Sequence, residues 1–459
     1  MAAQRLTSLD ASFLDVETTS AHMHVGWVAR FAPPRDGPAP SFEALRDHVG
    51  RRLKRAPRYR QRLAAVPLGL NRPVWVDDET FDLGCHVRRA PRGNLAELAD
   101  TVMSMPLARH RPLWEIWVAD RLDDGALGVV GKAHHCMVDG IAAVELAALL
   151  LDPVPDAPPE EPEPWRPGRT PGAGRLLLDG VVDRVVGELD LVALPAKLAA
   201  SPRRAGGMAR RAGQALVSSF APTTPARLLN QPLSPYRRLA TALRPLEDLK
   251  QVKRAFGTTL NDVVLAVSTG GLAGYLAERG QEPRRLKTMV PVNVRDGGAA
   301  DELGNRISFL FLELPCDEPD PVRRLVELHA ATRERKERGD PEGSEAVLDI
   351  VAHAPSTLQR VVSRLVASPR TFNLVVSNIP GPQQPLYMLG CELMEAYPVV
   401  PLADRHTLSI GFTSVADRAC FGLYADRDAL PDADELAAHL DVATEELLER
   451  SRGREPVRA

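Results

Sequence analysis

The feature that most constrains the fold is a break in composition at residues 153–174, which read PVPDAPPEEPEPWRPGRTPGAG. Proline and glycine interrupt helices and strands, and acidic residues supply nothing that a core could bury. The segment is therefore predicted to be a linker between two lobes of roughly 200 residues each. We expect 1–152 to form the first lobe, 175–235 a helical connector and 236–459 the second lobe.

Before the linker, the sequence alternates strand and helix patterns. Residues 114–122 (WEIWVADRL) and 126–134 (ALGVVGKAH) have the composition of strands, and Asp123-Asp124-Gly125 between them is a turn signal. The two strands are predicted to pair as a hairpin. Residues 141–151 (IAAVELAALLL) have helix formers throughout and predict a buried helix.

The alternation resumes after the linker. Residues 260–274 (LNDVVLAVSTGGLAG) have a helical apolar period, with Thr259 or Asn261 as the capping residue. Further segments have strand composition, namely 287–294, 307–314, 372–377 and 408–415. The chain is therefore predicted to be an α/β protein with two lobes.

Charge, cysteine content and motifs exclude several classes of protein. Lys and Arg number 57 and Asp and Glu number 60, so the net charge of −3 provides no field to hold a nucleic acid. The five cysteines are scattered and contain no CxxC pair, which argues against a disulfide framework and against a zinc site. They suit a reducing cytoplasm. The sequence contains no phosphate-binding GxxxxGKS or GxxxxGKT loop, no GxSxG elbow and no GxGxxG turn.

Contact with lipid is expected from the aqueous side, because no stretch reaches the ~18 apolar residues of a membrane span. Asp10 and Asp15 interrupt the apolar core that a secretion signal needs. Residues 202–220 (PRRAGGMARRAGQALVSSF) leave two interpretations open, a basic helix on a membrane surface or a solvated connector. We expect a cytoplasmic protein, and peripheral attachment to the inner membrane or to a lipid droplet is left open.

The densest run of titratable residues is His134 to Gly140, HHCMVDG, between the second predicted strand and the helix. Neighbouring strand residues point to opposite faces, so only one of His134 and His135 can enter a given cavity, which also argues against a shared metal ion. A histidine in this position can abstract a proton. Asp139 either orients the imidazole, pairs with a distant arginine or caps the helix. Packing explains each residue alone, but the combination is more specific.

This run resembles the HHxxxDG signature of the CoA-dependent acyltransferase superfamily, which includes the condensation domains of peptide synthetases. Other blocks are similar, in the same order, to those of the bacterial wax ester synthase/acyl-CoA:diacylglycerol acyltransferase family. They are LTSLDASFLDVETTSAHMHVG near the N-terminus, RPLWEIWV (111–118), LNDVVLA (260–266), VPVNVR (290–295), GNR (304–306) and VSNIPGP (376–382). The resemblance extends from about Leu6 to about Asp441.

The resemblance implies two lobes like those of chloramphenicol acetyltransferase, with mixed sheets and an active-site channel between them. It implies that His135 is the general base, in a motif that also includes His134 and Gly140, and that no acyl-enzyme forms. Asp139 would be structural in this family, and we expect Arg295 to be its partner.

Other residues complete the predicted site. The resemblance suggests that Asn261 supports the chemistry, although Asn261 and Asp262 equally fit a structural helix cap. Asn378 and Gly381 are predicted substrate contacts in the acyl channel, or else parts of a tight turn. Trp114 is predicted to contact substrate, with a packed strand residue as the alternative.

The chemistry is also implied by the resemblance. A long-chain acyl group would move from acyl-CoA, the co-substrate, to a hydroxyl acceptor, with no bound cofactor and no metal. Diacylglycerol is the expected acceptor, which makes triacylglycerol the product. Two alternatives stay open: wax ester synthesis on a fatty alcohol, and condensation-type transfer that uses a carrier protein or another alcohol.

Overall fold

The computed structural model describes residues 4–35, 37–91, 93–137, 150–182, 221–293, 307–338 and 356–453. The strands within these ranges, β1 to β15 in chain order, are Gln4–Arg5, His24–Ala32, Gln61–Ala64, Val74–Asp77, Val87–Arg89, Trp114–Ala119, Leu127–His134, Arg237–Pro245, Leu286–Asn293, Ile307–Leu314, Leu374–Ile379, Tyr387–Met388, Cys391–Val399, Leu408–Val415 and Arg418–Asp426. The helices in the same ranges, α1 to α9, are Ser8–Val16, Phe42–Arg52, Leu95–Ser104, 173–182, Leu246–Phe256, Leu260–Glu278, Pro321–Arg338, Ser356–Val366 and Ala433–Ser451.

Most of these strands form two six-stranded mixed sheets, each at the centre of one lobe. The first sheet has the order β12-β13-β2-β7-β6-β5, and the second has the order β10-β9-β11-β14-β15-β8. β5 runs parallel to β6, and β11 runs parallel to both β9 and β14, whereas the other neighbours are antiparallel. A small sheet of order β1-β4-β3 accompanies them, and its Trp75 packs into the core of the first lobe.

The two sheets do not follow a single division of the chain. β13 pairs with β2, so that Tyr397 lies opposite Val28 in the first sheet. β13 also packs on the second sheet, where the carbonyl of Pro398 approaches Gly422 so closely that a Cβ at this glycine would overlap it. Glycine permits this approach because it has no side chain. The predicted boundary at residue 236 therefore does not separate the sheets, because strands from the second half complete the first sheet.

The predicted hairpin of the first lobe is confirmed. β6 pairs antiparallel with β7, with Trp114 opposite Ala133. Gly125 has a φ of 85° in the turn, which glycine adopts without strain. Every residue of β7 is buried, as expected of a central strand that is covered on both faces.

Several elements of the second half also match their predictions. The strands predicted at 307–314 and 408–415 have those bounds, and the strand predicted at 372–377 begins two residues later. Thr259 is the N-cap of α6. The helix predicted at 141–151 lies almost entirely outside the described residues.

α6 is long and apolar enough to cross a membrane, but 72% of its apolar window is buried. It is packed in the core of the second lobe against α7 and α9. Its composition therefore reflects burial in protein, which passes the same test of length and hydropathy.

The linker contains neither helix nor strand at 153–172, and polar contacts hold it against the first lobe. The backbone amide of Gly168 donates to Asp77 (2.8 Å), and that of Thr170 donates to Glu79 (2.9 Å). Glu160 forms ion pairs with basic side chains of residues 52–55.

The predicted helical connector is described only in part. Residues 173–182 are helical, and 183–220, which include the basic segment, lie outside the described residues. The prediction of a helix is wrong for 221–235, which contain turns and irregular structure. Four prolines in that stretch remove backbone donors and prevent a helix.

Candidate active site

Two neighbouring segments fix the backbone of the paired histidines. The amide of His134 donates to the carbonyl of Leu113 (2.9 Å), and the amide of His135 donates to the carbonyl of Met23 (3.0 Å). β7 ends at His134, and His135 begins a single 3₁₀ turn. Met23 has a φ of 49°, an unfavourable conformation for a residue with a side chain. Backbone strain is thus present directly beside the histidine turn.

The imidazole of His135 lies in an apolar environment. It stacks on Phe13 of α1, with ring centroids 3.7 Å apart and planes 15° from parallel. Burial lowers the pKa of His135 from 6.5 to about 4, the backbone carbonyl of the same residue opposes that shift, and His134 adds to it. The ring is therefore neutral at physiological pH and able to accept a proton.

His134 is enclosed in the protein, with 1% of its surface exposed. Its Nδ1 accepts a hydrogen bond from the backbone amide of Cys136 (3.1 Å), which places the proton of the neutral ring on Nε2. This Nε2 lies 3.7 Å from Oε2 of Glu17, and Glu17 forms an ion pair with Arg109. Burial, and then the charge of Arg109, lower the pKa of His134 to about 3. Sequence reasoning assigned no role to Glu17, and the structure places it beside this ring.

Lys132, two residues before His134 on β7, is a buried cation that sequence reasoning missed. Its Nζ donates to the carbonyls of Val102 (2.8 Å) and Met105 (2.7 Å) at the end of α3, and lies 3.5 Å from Oε2 of Glu115. Burial lowers the pKa of Lys132 to about 8, and Glu115 opposes the shift. The signal for it in the sequence was a lysine within an otherwise apolar predicted strand. Its acceptors, 27 and 30 residues earlier, were not visible in the local pattern.

In the second lobe, Asp262 holds the start of α6. Its Oδ2 accepts hydrogen bonds from the amide (2.9 Å) and hydroxyl (2.7 Å) of Thr259, whose Oγ1 accepts from the amide of Asp262 (3.2 Å). This is a capping box. Nδ1 of His329 on α7 lies 2.8 Å from the same carboxylate oxygen. Through these contacts the carboxylate of Asp262, which is fully buried, links the beginning of α6 to α7.

Asn261 and Asn378, which the sequence analysis singled out separately, lie in contact. Nδ2 of Asn378, near the end of β11, donates to Oδ1 of Asn261 in the first turn of α6 (3.4 Å). Both residues are partly exposed. Because the oxygen of Asn261 is engaged, its Nδ2 is the group that can donate to a further acceptor.

Gly381 follows β11 and passes close to β14. A Cβ at this position would overlap the carbonyl of Ser414 and would lie 2.6 Å from Oγ1 of Thr413. The following residue, Pro382, accepts a hydrogen bond from the amide of Ala416 (2.9 Å). The close approach of β14 therefore requires glycine at this position, and the predicted contact of Gly381 with substrate stays a prediction.

Trp114 is a core residue of the first lobe. Its side chain is fully buried, Nε1 donates to the carbonyl of Tyr59 (2.7 Å), and the ring stacks on His86 with centroids 4.7 Å apart. A cleft of about 240 Å³ reaches the same strand, but its exposed walls include Arg88 and Arg111. Trp114 is therefore a packed strand residue, the alternative of the sequence analysis, and it also lies at the wall of this cleft, so its contact with substrate stays a prediction.

Asp139, Gly140 and Arg295 lie outside the described residues, so the ion pair between Asp139 and Arg295 stays a prediction. Among the residues that are described, no group of three or more His, Cys, Asp and Glu side chains is arranged to hold a metal ion.

Two mixed sheets joined by a crossing strand, with a histidine where a central strand turns, are the arrangement that the resemblance to the two-lobed CoA-dependent acyltransferases implies. The model of the wax ester synthase/diacylglycerol acyltransferase catalytic domain matches residues 6–264, and that of the C-terminal domain matches residues 303–448. A "probable diacylglycerol O-acyltransferase" of Mycobacterium tuberculosis is 36% identical over 99% of this chain and 97% of its own length. The chain therefore belongs to the wax ester synthase/diacylglycerol acyltransferase family.

Solved structures have the same fold. The wax ester synthase/diacylglycerol acyltransferase of Marinobacter aquaeolei VT8 matches with a TM-score of 0.70 at 28% identity, over 98% of this chain and 99% of that chain. A trichothecene 15-O-acetyltransferase of Fusarium sporotrichioides shares the fold alone, with a TM-score of 0.61 at 12% identity over 97% and 95% of the two chains. The predicted family, the predicted two-lobed fold and the predicted acyltransferase class are confirmed.

Proposed function

We propose that this acyltransferase moves a long-chain acyl group from acyl-CoA to the free hydroxyl of diacylglycerol and so forms triacylglycerol. Relatives over nearly the full chain bear the name diacylglycerol O-acyltransferase, which favours this acceptor. The Marinobacter protein is named for both activities, so a fatty alcohol is the second candidate acceptor. The observation that carries the proposal is the half-buried imidazole of His135, which stacks on Phe13 at the turn after β7.

The proposed reaction is a single displacement with His135 as general base. The imidazole takes the hydroxyl proton as the acceptor oxygen attacks the thioester carbonyl, which forms a C–O bond and a tetrahedral intermediate. The C–S bond then breaks, and the protonated imidazole returns the proton to the CoA thiolate. The ester and free CoA are the products, and the imidazole ends in its neutral form. General base catalysis of this kind contributes about 10² to 10⁴ in rate.

The negative charge on the tetrahedral oxygen needs a fixed donor. We assign this task to Nδ2 of Asn261, because Asn378 holds the amide of Asn261 through its oxygen. The capping box of Asp262 fixes the helix turn that carries Asn261. Removal of one oxyanion donor typically costs about 10² to 10³ in kcat.

The test compares wild type with His135→Ala in transfer of a labelled acyl group from acyl-CoA. Diacylglycerol, hexadecanol and a carrier-linked acyl donor are supplied in separate reactions, so that the acceptor and the condensation-type alternative are tested together. His439→Ala, which changes a histidine on α9 of the second lobe, is the control. We expect the His135 variant to lose about 10² to 10⁴ of its rate and the control to lose none. Unchanged turnover in the His135 variant would overturn the assignment.

We also propose a cytoplasmic enzyme that meets its acceptor peripherally, at the inner membrane or at a lipid droplet. Two facts support this: the apolar helix α6 is buried in the second lobe, and diacylglycerol is an insoluble lipid that an enzyme must reach in a lipid phase. Fractionation of cells that express the tagged chain tests it. Release of the protein from membranes by salt or carbonate is expected, and retention that only detergent reverses would contradict it.

A further inference from the structure

Exposed apolar side chains are concentrated on one part of the surface. Among the described residues, twelve large apolar side chains are exposed, and seven of them lie on three adjoining elements. We call these seven residues the apolar face: Leu68 of the 3₁₀ turn Pro67–Gly69, Leu178, Val181 and Val182 of α4, and Leu358, Val361 and Leu365 of α8. Contiguous exposed apolar surface is typical of interaction sites.

The loop that carries Leu68 forms hydrogen bonds with both α4 and α8. Nδ2 of Asn71 donates to the carbonyl of Gly180 on α4 (3.2 Å), and Nη2 of Arg72 donates to Oε1 of Gln359 on α8 (2.7 Å). Since consecutive residues of one loop contact both helices, the three elements form a single surface.

The apolar side chains of α8 follow helical periodicity, but they face outward. Leu358, Val361 and Leu365 are spaced at i, i+3 and i+7, which places them on one side of the helix, and they are 51%, 55% and 63% exposed. A helix of a soluble protein normally turns such a stripe toward the core. Gln359, next in sequence to the stripe, is the buried residue instead, at 6% exposed.

α4 has the same arrangement. Leu176 packs in a small core with Ala64, Val74 and Val76, while Leu178 and two valines of the next turn are exposed. α4 is therefore anchored by one side and presents apolar side chains on another. The exposed apolar side chains of α4 are therefore not needed to anchor this helix to the protein.

The backbone conformation of Leu68 directs its side chain into solvent. Its side chain is 86% exposed, and its φ of 61° is in the left-handed region, which disfavours leucine. Glycine or asparagine would be the expected residue at such a turn. An apolar side chain displayed in this way suggests that the turn enters an apolar phase.

The charge of the same elements is complementary to an anionic surface. Loop 65–73, α4 and α8 contain four arginines and one aspartate, in a protein whose net charge is −3. The packed helix α1 adds the carboxylate of Asp15, which pairs with Arg360, so that an excess of two positive charges remains. The arginines are Arg72, Arg175, Arg360 and Arg364. Arginine beside apolar residues favours binding to membranes with anionic lipids.

The apolar face is one helix away from the proposed base. On α1, the carboxylate of Asp15 accepts a hydrogen bond from Nε of Arg360 (3.0 Å), and its carbonyl accepts one from Nε of Arg364 (3.2 Å). Phe13, on the same helix, stacks on His135. α1 therefore packs against α8 and also against the histidine turn, and a helix is only about 10 Å across.

We propose that the apolar face is the surface on which the enzyme rests on an anionic phospholipid bilayer, so that diacylglycerol enters beside α1. This inference rests on the proposed acylation of a lipid acceptor. Leu68 and the stripes of α4 and α8 enter the interfacial region, and the exposed arginines Arg175, Arg360 and Arg364 contact phospholipid phosphates.

The experiment measures binding to vesicles of phosphatidylcholine, phosphatidylglycerol and diacylglycerol by co-sedimentation. The test variants of the full chain are Leu358→Ser/Val361→Ser/Leu365→Ser and, separately, Leu68→Ser. The control is Val326→Ser/Val442→Ser, which changes two apolar residues with 52% and 56% exposure on α7 and α9. We expect the triple variant to bind at least about 10-fold more weakly, and the control to bind like wild type.

A second measurement separates this inference from the proposed function. With butanol as a soluble acceptor and no vesicles, the triple variant should retain wild-type turnover, whereas transfer to diacylglycerol in vesicles should fall with binding. Wild type that binds vesicles without acylating diacylglycerol would refute the proposed acceptor and leave the apolar face supported. Wild-type vesicle binding by the triple variant would overturn the inference.

Two other occupants give distinct results. If a second copy covered the apolar face, the triple variant would lose a dimer in sedimentation equilibrium and keep its vesicle binding. If residues 183–220 of the same chain covered it, the triple variant would melt at a lower temperature, also with unchanged vesicle binding. Either result would overturn the lipid assignment.

Discussion

Lowering the pH of an acyl-transfer assay titrates the proposed base directly. The neutral imidazole of His135 can accept the hydroxyl proton of the acceptor, and the imidazolium cannot. Burial lowers the pKa of His135 to about 4. The acid limb of kcat/KM, which reports the free enzyme, is therefore expected near pH 4 and not near 6.5.

The two pKa values predict very different values of kcat/KM in a pH range that can be measured. At pH 5, a pKa of about 4 leaves about 90% of the molecules with a neutral His135, whereas a pKa of 6.5 would leave about 3%. The two cases differ about 30-fold in kcat/KM at pH 5 but only about 1.3-fold at pH 7. Measurements between pH 5 and 6 therefore decide between them.

Acid unfolding must be separated from this titration. His134 is 1% exposed, with a pKa of about 3 in the folded protein against 6.5 for an ordinary histidine. Below pH 6.5 the unfolded chain binds the proton more tightly, so the free energy of unfolding falls as the pH falls from 6.5 toward 3. The loss from His134 alone is about 2 kcal/mol at pH 5. Near-UV circular dichroism at each pH identifies the range in which the fold persists.

The assay uses diacylglycerol in detergent and an acyl-pantetheine donor, which has no phosphate groups that titrate near pH 6. We expect kcat/KM to stay level from pH 8 to about 5.5 and to begin to fall near pH 5. An acid limb at pH 6 to 7, in protein that is still folded by circular dichroism, would refute His135 with a lowered pKa as the base.

Three further predictions concern the framework of the site. Lys132→Met leaves the carbonyls of Val102 and Met105 without their donor, and should lower the free energy of unfolding in urea by about 3 kcal/mol; an unchanged midpoint would show that water replaces the ammonium. Asp262→Ala removes the capping box of α6, and should lower thermal stability by about 2 kcal/mol, whereas full stability would mean that the cap is dispensable. Gly381→Ala forces a Cβ into the backbone of β14, so soluble yield and turnover should both fall, and wild-type values for both would contradict the required close approach.

Local patterns predicted the elements that carry the site. The hairpin of β6 and β7 follows from strand composition on either side of a glycine turn, and the Thr259 cap from a hydroxyl residue before an apolar helix. In both cases residues close in sequence supply the determining interactions. These elements place the histidine turn and Asn261, so the positions of the two residues that we propose for the chemistry were accessible from the sequence.

Features that depend on distant partners were not predicted. β13 joins the first sheet because it pairs with β2, and it packs on the second sheet because the carbonyl of Pro398 fits against Gly422, contacts that no local pattern shows. The role of Trp114 was open for the same reason, since only the fold reveals that Tyr59 accepts from its indole nitrogen. The outward stripe of α8 has ordinary amphipathic periodicity, and the sequence does not show which side of the helix faces solvent.

If His135 is the base, its pKa of about 4 means that it requires help from the second lobe. An isolated imidazolium is unfavourable where His135 lies, because burial removes it from water. When the proton moves to this ring, however, negative charge appears on the thioester oxygen, and the two opposite charges stabilise each other. The proton transfer is therefore favourable only together with attack on the thioester, and only if a donor such as Nδ2 of Asn261 holds the oxyanion in place. This coupling explains why the proposed base and the proposed donor would need a fixed relation, and β13 joins the two sheets that carry the lobes by pairing in one and packing on the other.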